Sequence, residues 1–231
     1  MKTILITGAN RGIGLEHARV FAARGYRVFA TARDTDQAHD LQVLAATHRG
    51  HITVLAYDAA DPEAATRVCA AVGDTPLDLV LANAGAMGGK EQSFGSVDGE
   101  DLMQLVRINA LAPLKLVEAL ADNVARSNRK LLAFQSSQMG SVSDNSSGGY
   151  YAYRVSKAAL NMVARGVAND LRPRGITVVA LHPGWVKTRM GGPGAPVTLQ
   201  QSVAGQQELF DRLTPADSGH FFNYDGRKLP W

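Results

Sequence analysis

The chain is predicted to fold as an α/β protein: a doubly wound, mostly parallel sheet of six or seven strands in a single domain, residues 1–231. Three observations predict it. Apolar, β-branched runs recur without alternation, segments of helical periodicity lie between them, and a glycine-rich turn joins the first run to the first helix. Runs that are apolar at every position suit strands covered on both faces, as in a parallel sheet flanked by helices. Parallel neighbours need crossovers, and right-handed strand–helix–strand crossovers build a doubly wound sheet. With 231 residues, 45% hydrophobic and 19% charged, the chain can bury the core that one such domain requires.

The strands are read from KTILIT (2–7), YRVFATA (26–32), HITVLAY (51–57), LDLVLA (77–82), KLLAFQS (130–136) and ITVVAL (176–181), with HFFNYDG (220–226) as a final strand and turn. After Gly12, the stripe Leu15, Ala18 and Ala22 marks a helix that Gly25 stops. Residues 100–125 carry Leu102, Leu105, Val106 and Ile108, then Leu116, Val117 and Leu120, with a kink expected ahead of Pro113. Residues 153–171 place Val155, Ala159, Met162, Val163 and Val167 on one side of a helix. The Gly/Pro-rich stretch 190–202 reads as a loop before a last short helix. Region 189–220 is expected to cover the substrate, with Val197, Leu199, Leu209 and Phe210 forming a nonpolar lid. No linker, repeat or low-complexity tract interrupts this order.

Composition narrows the function classes. The net charge of +3 is scattered rather than clustered, which argues against nucleic acid but suits a small polyanionic ligand. Cys69 is the single cysteine, so no internal disulfide forms and a reducing, cytoplasmic setting is expected. The apolar start is cut short by Thr7, Gly8 and Arg11, too early for a signal peptide, and no run reaches membrane-spanning length. The histidines show no helical metal spacing; no metal site is expected, and His182, before Pro183, reads as structural.

ILITGANRGIGLEHA (4–18) carries Gly8, Gly12 and Gly14 at a strand–helix junction. Glycines let the backbone turn tightly and approach a pyrophosphate, while the helix N-terminus supplies unpaired N–H groups and a positive dipole end. The spacing is a variant of the dinucleotide fingerprint. In such folds an acid after the second strand accepts the ribose 2′-hydroxyl, whereas arginine suits a 2′-phosphate. Here that strand ends in Ala32 and Arg33, and Arg11 lies in the turn, so NADP(H) is favoured over NAD(H). Asp34, next door, is the competing acid.

GGYYAYRVSKAALN (148–161) holds three tyrosines and two cations. Residues four apart share a helix face, which leaves the pairs Tyr150/Arg154 and Tyr153/Lys157. Arginine stays protonated and cannot relay a proton, whereas lysine can, which selects Tyr153/Lys157. Moving a phenol from near 10 to about 7 takes about 4 kcal/mol, which a neighbouring ammonium and a cationic nicotinamide ring are expected to supply. Tyr150 and Tyr151 then line the substrate site or pack on a neighbour.

Taken together, TGANRGIG (7–14), NAG (83–85), IN (108–109), SSQMG (136–140), YRVSK (153–157) and HPGWVKT (182–188) resemble the compact single-domain form of the short-chain dehydrogenase/reductase family, over nearly the whole chain. The stretches 182–205 and 225–231 look like its subgroup of C-factor-like carbonyl reductases. The resemblance implies a Rossmann fold and a catalytic tetrad of Asn109, Ser137, Tyr153 and Lys157. Ser137 is preferred to Ser136 because the family's serine stands three before a glycine, here Gly140. It implies cofactor contacts at Gly8, Asn10, Arg11, Gly12, Ile13, Gly14 and Arg33, at Asp58 and Ala59 for the adenine, and at Asn83, Ala84 and Gly85. Tyr153 and Lys157 also touch the cofactor, and Pro183, Gly184, Val186 and Thr188 border the nicotinamide amide. The serine–tyrosine interval is longer than is commonest in the family, with SDNSSGG (143–149) filling it and shaping the substrate mouth.

The expected activity is NADP-dependent interconversion of a ketone or aldehyde and an alcohol by hydride transfer. Tyr153 is the acid/base, Ser137 a hydrogen-bond donor to the carbonyl oxygen, and Asn109 the holder of a water that relays protons to Lys157. NAD-linked alcohol oxidation keeps the fold and changes direction and cofactor. A different class is a dinucleotide-binding signalling or regulatory protein of the C-factor type with little or no turnover. The partner expected is a small carbonyl or alcohol, with neither nucleic acid nor membrane. Helices 100–125 and 153–171 pair subunits in many relatives as homodimers or homotetramers.

Overall fold

A computed structural model describes residues Met1–Trp231. Eight strands form one sheet in the order β3-β2-β1-β4-β5-β6-β7-β8: β1 (Thr3–Ile6), β2 (Arg27–Ala32), β3 (Ile52–Ala56), β4 (Leu79–Ala82), β5 (Leu131–Gln135), β6 (Thr177–His182), β7 (His220–Asn223) and β8 (Lys228–Leu229). The first seven are parallel, and β8 folds back antiparallel on β7. The eighth strand goes beyond the six or seven expected; it spans two residues, too few for any sequence pattern.

The helices are α1 (Gly12–Ala23), α2 (His39–Thr47), α3 (Ala64–Val72), α4 (Gly99–Val106), α5 (Ala112–Ala125), α6 (Tyr151–Asp170) and α7 (Leu199–Arg212). Successive strand residues point to opposite faces, so two apolar layers form. Leu5, Phe29, Val80 and Phe134 lie in the layer shared with α3, α5 and α6. Ile4, Ile6, Leu81 and Leu181 share the other with Ala18 and Phe21 of α1, Leu41 of α2 and Leu209 of α7. Each large side chain fully buried this way contributes roughly 1.5–3 kcal/mol of transfer free energy. No helix is long and apolar enough to cross a membrane.

Three expectations shift. Leu209 and Phe210, read as part of a lid, are buried in the α1/α7 layer because α7 packs against α1. The loop within 189–220 that precedes this packed helix ends at the Thr198/Gln201 capping box that starts α7. On α6 the core face is Tyr153, Ser156, Lys157, Leu160 and Ala164, while Val155 and Met162 point to solvent. Finally, the kink ahead of Pro113 is a π-helical turn, Arg107–Leu111, joining α4 to α5. Proline has no N–H, so the carbonyl four residues earlier, that of Asn109, has lost its α-helical donor.

Strand order reverses between β1 and β4, where the crossovers leave to either side of the sheet. Ligands of doubly wound sheets bind at that switch point, beyond the carboxyl ends of the strands. Gly8, Asn83, Ser136, Ser137 and Pro183 all stand at those ends.

Candidate active site

The switch point is laced together by short side chains. Thr7 Oγ1 accepts from the N–H groups of Asn83 and Ala84, both at 3.0 Å. Asn83 Nδ2 donates back to the carbonyls of Thr7 (2.8 Å) and Gly8 (3.2 Å). Gly8 and Gly12 have φ of 64° and 56°, the left-handed region that favours glycine. A Cβ at Gly14 would overlap the Gly8 carbonyl and lie 2.7 Å from Asn83 Nδ2, so only glycine lets α1 begin this close to the turn. Arg11 caps α1 without a side-chain hydrogen bond. The first N–H groups of α1 are thus directed outward beside a close-packed glycine turn, a cradle that fits a dinucleotide pyrophosphate.

Arg11 and Arg33 are both exposed, at the mouth of this turn and at the end of β2. Asp34 Oδ1 accepts from the N–H groups of Asp36 (3.0 Å) and Gln37 (3.2 Å), which ties that carboxylate into its own turn. Asp58, after β3, accepts from Ala60 N at 3.0 Å through Oδ1. After β6, the Pro183 carbonyl accepts from Ser202 Oγ at 2.6 Å. Gly184, at φ 85°, lies so close to Tyr224 that a Cβ would sit 2.9 Å from its ring. Val186 is buried and pairs with Val197, and a Cβ on Gly12 would come within 3.8 Å of Thr188 Cγ2. The segment Pro183–Thr188 therefore faces the glycine turn.

A buried polar chain connects these two walls. Gln207 Nε2 donates to His17 Nδ1 (3.0 Å), which leaves the proton of that ring on Nε2, donating to Gln206 Oε1 (3.2 Å). Gln206 Nε2 donates to Ser202 Oγ at 3.1 Å, and Ser202 to Pro183 O. Burial pushes the pKa of His17 down to about 4. His182, inside the end of β6, is likewise pushed down to about 4 by burial.

Tyr153 and Lys157 lie one turn apart on the buried face of α6. Lys157 Nζ donates to Gln135 O at 2.9 Å, sits 5.9 Å from the centroid of the Tyr153 ring and has no carboxylate partner. It is only 4% exposed, and desolvation pushes its pKa down to about 8. Two glycines make room: a Cβ at Gly85 would lie 3.5 Å from Nζ, and one at Gly140 would lie 2.7–2.9 Å from Lys157 main-chain and Cβ atoms. This explains the serine–glycine spacing, because the Ser137 turn can press onto α6 only through Gly140. Ser136 donates to Asn161 Oδ1 at 2.6 Å and is tied up structurally. Ser137 Oγ accepts only from Met139 N (3.2 Å) and reaches the Tyr153 phenol. Burial pushes that phenol up, against the opposing effect of the Ser137 hydrogen bond. The acidified phenol expected from the sequence is therefore not produced by the chain alone.

Asn109 is wholly buried in the π turn. Its Oδ1 accepts from Ala86 N (2.8 Å), and its Nδ2 donates to Ala86 O (2.8 Å) and Ser156 Oγ (2.9 Å). Its amide positions the turn after β4 against α6, leaving its main-chain carbonyl as the group available to hold a water. Arg154, the other cation weighed, donates to the carbonyls of Gly148 (3.2 Å), Gly149 (3.0 Å) and Met139 (3.4 Å) and to Ser147 Oγ (2.8 Å). It clamps the long serine–tyrosine loop. Tyr150 is half exposed, and Tyr151 stands 6.4 Å from the ring of Phe94.

Sequence reasoning missed Gln92. This buried residue accepts from Tyr151 N through its main-chain oxygen (2.9 Å) and from Tyr153 N through Oε1 (2.8 Å). It lies in a polar, glycine-rich loop with no periodicity to single it out.

Residues 2–195 match the family model described as short chain dehydrogenase. The chain is 44% identical over 167 residues to the C-signal protein of Myxococcus xanthus, covering 72% of this chain and 98% of that protein. It is 34% identical over 235 aligned positions to 1-hydroxy-2-glutathionyl-2-methyl-3-butene dehydrogenase of Rhodococcus sp. strain AD45, covering 100% of both. Among solved structures, a carbonyl reductase from chicken fatty liver with NADPH bound superposes with a TM-score of 0.93 at 34% identity, over 100% of this chain and 99% of that one.

Proposed function

Given that the chain belongs to the short-chain dehydrogenase/reductase family and is an NAD(P)-dependent oxidoreductase, we propose that it reduces a ketone or aldehyde to the alcohol with NADPH, Tyr153 supplying the proton. The observation that carries this reading is the buried Tyr153 phenol. It is touched by Ser137 and backed one turn away by a lysine with no anionic partner, at the switch point of the sheet.

The residues for the cofactor follow the cradle. Gly8, Asn10, Gly12, Ile13 and Gly14 hold the pyrophosphate, Arg11 and Arg33 the 2′-phosphate, and Asp58 and Ala59 the adenine. Asn83, Ala84 and Gly85 line its path, with Pro183, Gly184, Val186 and Thr188 at the nicotinamide amide. The locked carboxylate of Asp34 supports the 2′-phosphate assignment over a ribose hydroxyl. Bound, the reduced nicotinamide supplies hydride to the carbonyl carbon.

The chain's own groups do the rest. Ser137 donates to the carbonyl oxygen as charge builds on it. Tyr153, held protonated by burial, gives its proton to that oxygen, which suits reduction better than oxidation. Lys157, near 8, returns a proton to the phenolate and regains its own from solvent through a water on the Asn109 carbonyl. Exposed Met103, Val155 and Met162 on α4 and α6 support the association of subunits as a homodimer or homotetramer, and the lone Cys69 a reducing cytoplasm.

Purified protein with NADPH and a panel of carbonyls tests the proposal. Tyr153→Phe should retain NADPH binding and lose turnover by at least about 100-fold, the usual scale of a positioned acid. Unchanged turnover would remove it. The likeness to the Myxococcus C-signal favours a second reading, a dinucleotide-binding signalling protein. Tight NADPH binding with silence across the whole panel would support that instead.

A further inference from the structure

We infer that Gln92 is a positioning residue for Tyr153, standing in for the helix cap that α6 lacks; the functional part of this rests on the proposed role of Tyr153. Helix N-termini leave their first N–H groups without internal partners, and a serine, threonine, aspartate or asparagine at the N-cap ordinarily accepts one of them. The N-cap of α6 is Tyr150, in the left-handed region at φ 50°, ψ 39°, with no side-chain cap. Gln92 takes over. Its main-chain oxygen receives Tyr151 N–H at 2.9 Å, and its Oε1 receives Tyr153 N–H at 2.8 Å across 61 positions of sequence.

The orientation of that amide is determined by its surroundings. Nε2 donates to the carbonyls of Met87 and Gly89, both at 2.8 Å, which uses both of its protons and leaves Oε1 for Tyr153. A flipped amide would set an NH2 group against an N–H and an oxygen against two carbonyls. The turn around Gln92 is fixed as well: Asp101 accepts from Gly89 N at 2.8 Å, and Asn109 brackets Ala86 through both its N–H and its C=O. The opposite end of the Tyr153 residue is held by the same asparagine. Ser156 Oγ accepts from Asn109 Nδ2 and donates to Tyr153 O at 2.8 Å.

Tyr153 is therefore gripped at its N–H by Gln92 and at its C=O through Ser156. Both grips lead back to the turn after β4, which begins at Asn83 against the glycine turn. The phenol's distance from a substrate beside Ser137 is inherited from the cofactor side of the sheet rather than from α6 alone. A displacement of about 1 Å at such a group costs on the order of 100-fold in rate.

The experiment compares Gln92→Met, close in size with no acceptor, and Gln92→Glu, which keeps an oxygen for Tyr153 N–H at the positive end of α6 but loses both donors. In Gln92→Met, kcat should fall about 10- to 100-fold with the NADPH Kd within about twofold, since the cradle is untouched. Gln92→Glu should recover most of kcat although its Tm is lower. A wild-type kcat in Gln92→Met, or losses in both variants that follow Tm, would overturn the inference. Amide exchange at Tyr153 reads the side-chain cap without any substrate and should quicken at least about tenfold in Gln92→Met. Unchanged exchange overturns the inference whatever the activity. Silence of the wild type toward every carbonyl, with exchange quickened, overturns only the role of Tyr153. Should Gln92→Met fold poorly, Gln92→Asn, one methylene shorter, must show the same kcat loss and the same quickening.

Discussion

Replacing Lys157 by methionine should make the protein more stable and catalytically inert. The lysine is buried, its single hydrogen bond goes to a neutral carbonyl, and no carboxylate offsets its charge. Desolvation lowers its pKa from 10.5 in the unfolded chain to about 8. Because the unfolded chain binds this proton more tightly, the penalty is full below about 8 and disappears as pH rises through 10.5. From these two values the penalty is about 3 kcal/mol near pH 7.5 and below about 1 kcal/mol near pH 10. Methionine removes it but leaves the Gln135 carbonyl unpaired, at a cost of about 1 kcal/mol. Urea unfolding of the cofactor-free protein should then find Lys157→Met more stable by about 2 kcal/mol near pH 7.5, an advantage that fades by about 2 kcal/mol near pH 10. Carbonyl reduction should drop at least about 100-fold. A variant no more stable than wild type near neutrality, or an advantage that is the same at both pH values, would refute the claim that Lys157 is an uncompensated buried cation.

Two further outcomes follow from the walls of the site. His17, pushed from 6.5 to about 4 by burial, contributes stability that is complete above 6.5 and is lost as pH falls through about 4. Near pH 5 wild type should have lost about 2 kcal/mol through this ring, so His17→Gln should show a shallower acid decline by that amount in urea titrations; parallel declines would contradict the buried polar chain. Arg33→Ala should weaken kcat/KM for NADPH by about 10- to 100-fold, the scale of a charge-assisted phosphate contact, while leaving NADH within about twofold. Equal losses for both dinucleotides would contradict the 2′-phosphate assignment.

Much of this was legible in the sequence, for reasons that residue contacts make clear. Strands β1, β2, β4, β5 and β6 announce themselves because each lies between two apolar layers and so has no polar face to interrupt the run. The edge strand β3 is read from its β-branched residues although none of it is fully buried. Helix α2 does not announce itself, since it buries only Leu41, and α3 is nine residues long with Val68 and Val72 as its only large buried side chains. Tyr153 and Lys157 were readable because a helix sets their relation locally, and Ser137 because Gly140 must pack on α6. The His17–Gln206–Ser202 chain was not: it requires α1 and α7 to face each other, 189 residues apart at His17 and Gln206. The occupied amide of Asn109 and the cap from Gln92 were hidden for the same reason. Pairing across long sequence distances between short polar residues leaves no pattern in either segment.

The departures from local rules share a location, and that location has a physical meaning. Around Tyr153 the chain repeatedly breaks local rules: a tyrosine occupies the left-handed region at position 150, a π turn replaces α-helix at Arg107–Leu111, and a lysine is buried without an anion. A left-handed non-glycine residue costs about 1–2 kcal/mol, and such outliers persist only where the surroundings over-determine them. Here the surroundings do so with contacts that converge on one residue: Gln92 on its N–H, Ser156 on its C=O with Asn109 holding that serine, and Ser137 beside its phenol. Segments from β4, the π turn, β5 and α6 thus meet at Tyr153. A scaffold required only to be stable would gain by relaxing each of these features, beginning with Lys157, so their concentration around a single phenol indicates that the fold is organised to hold that oxygen in place.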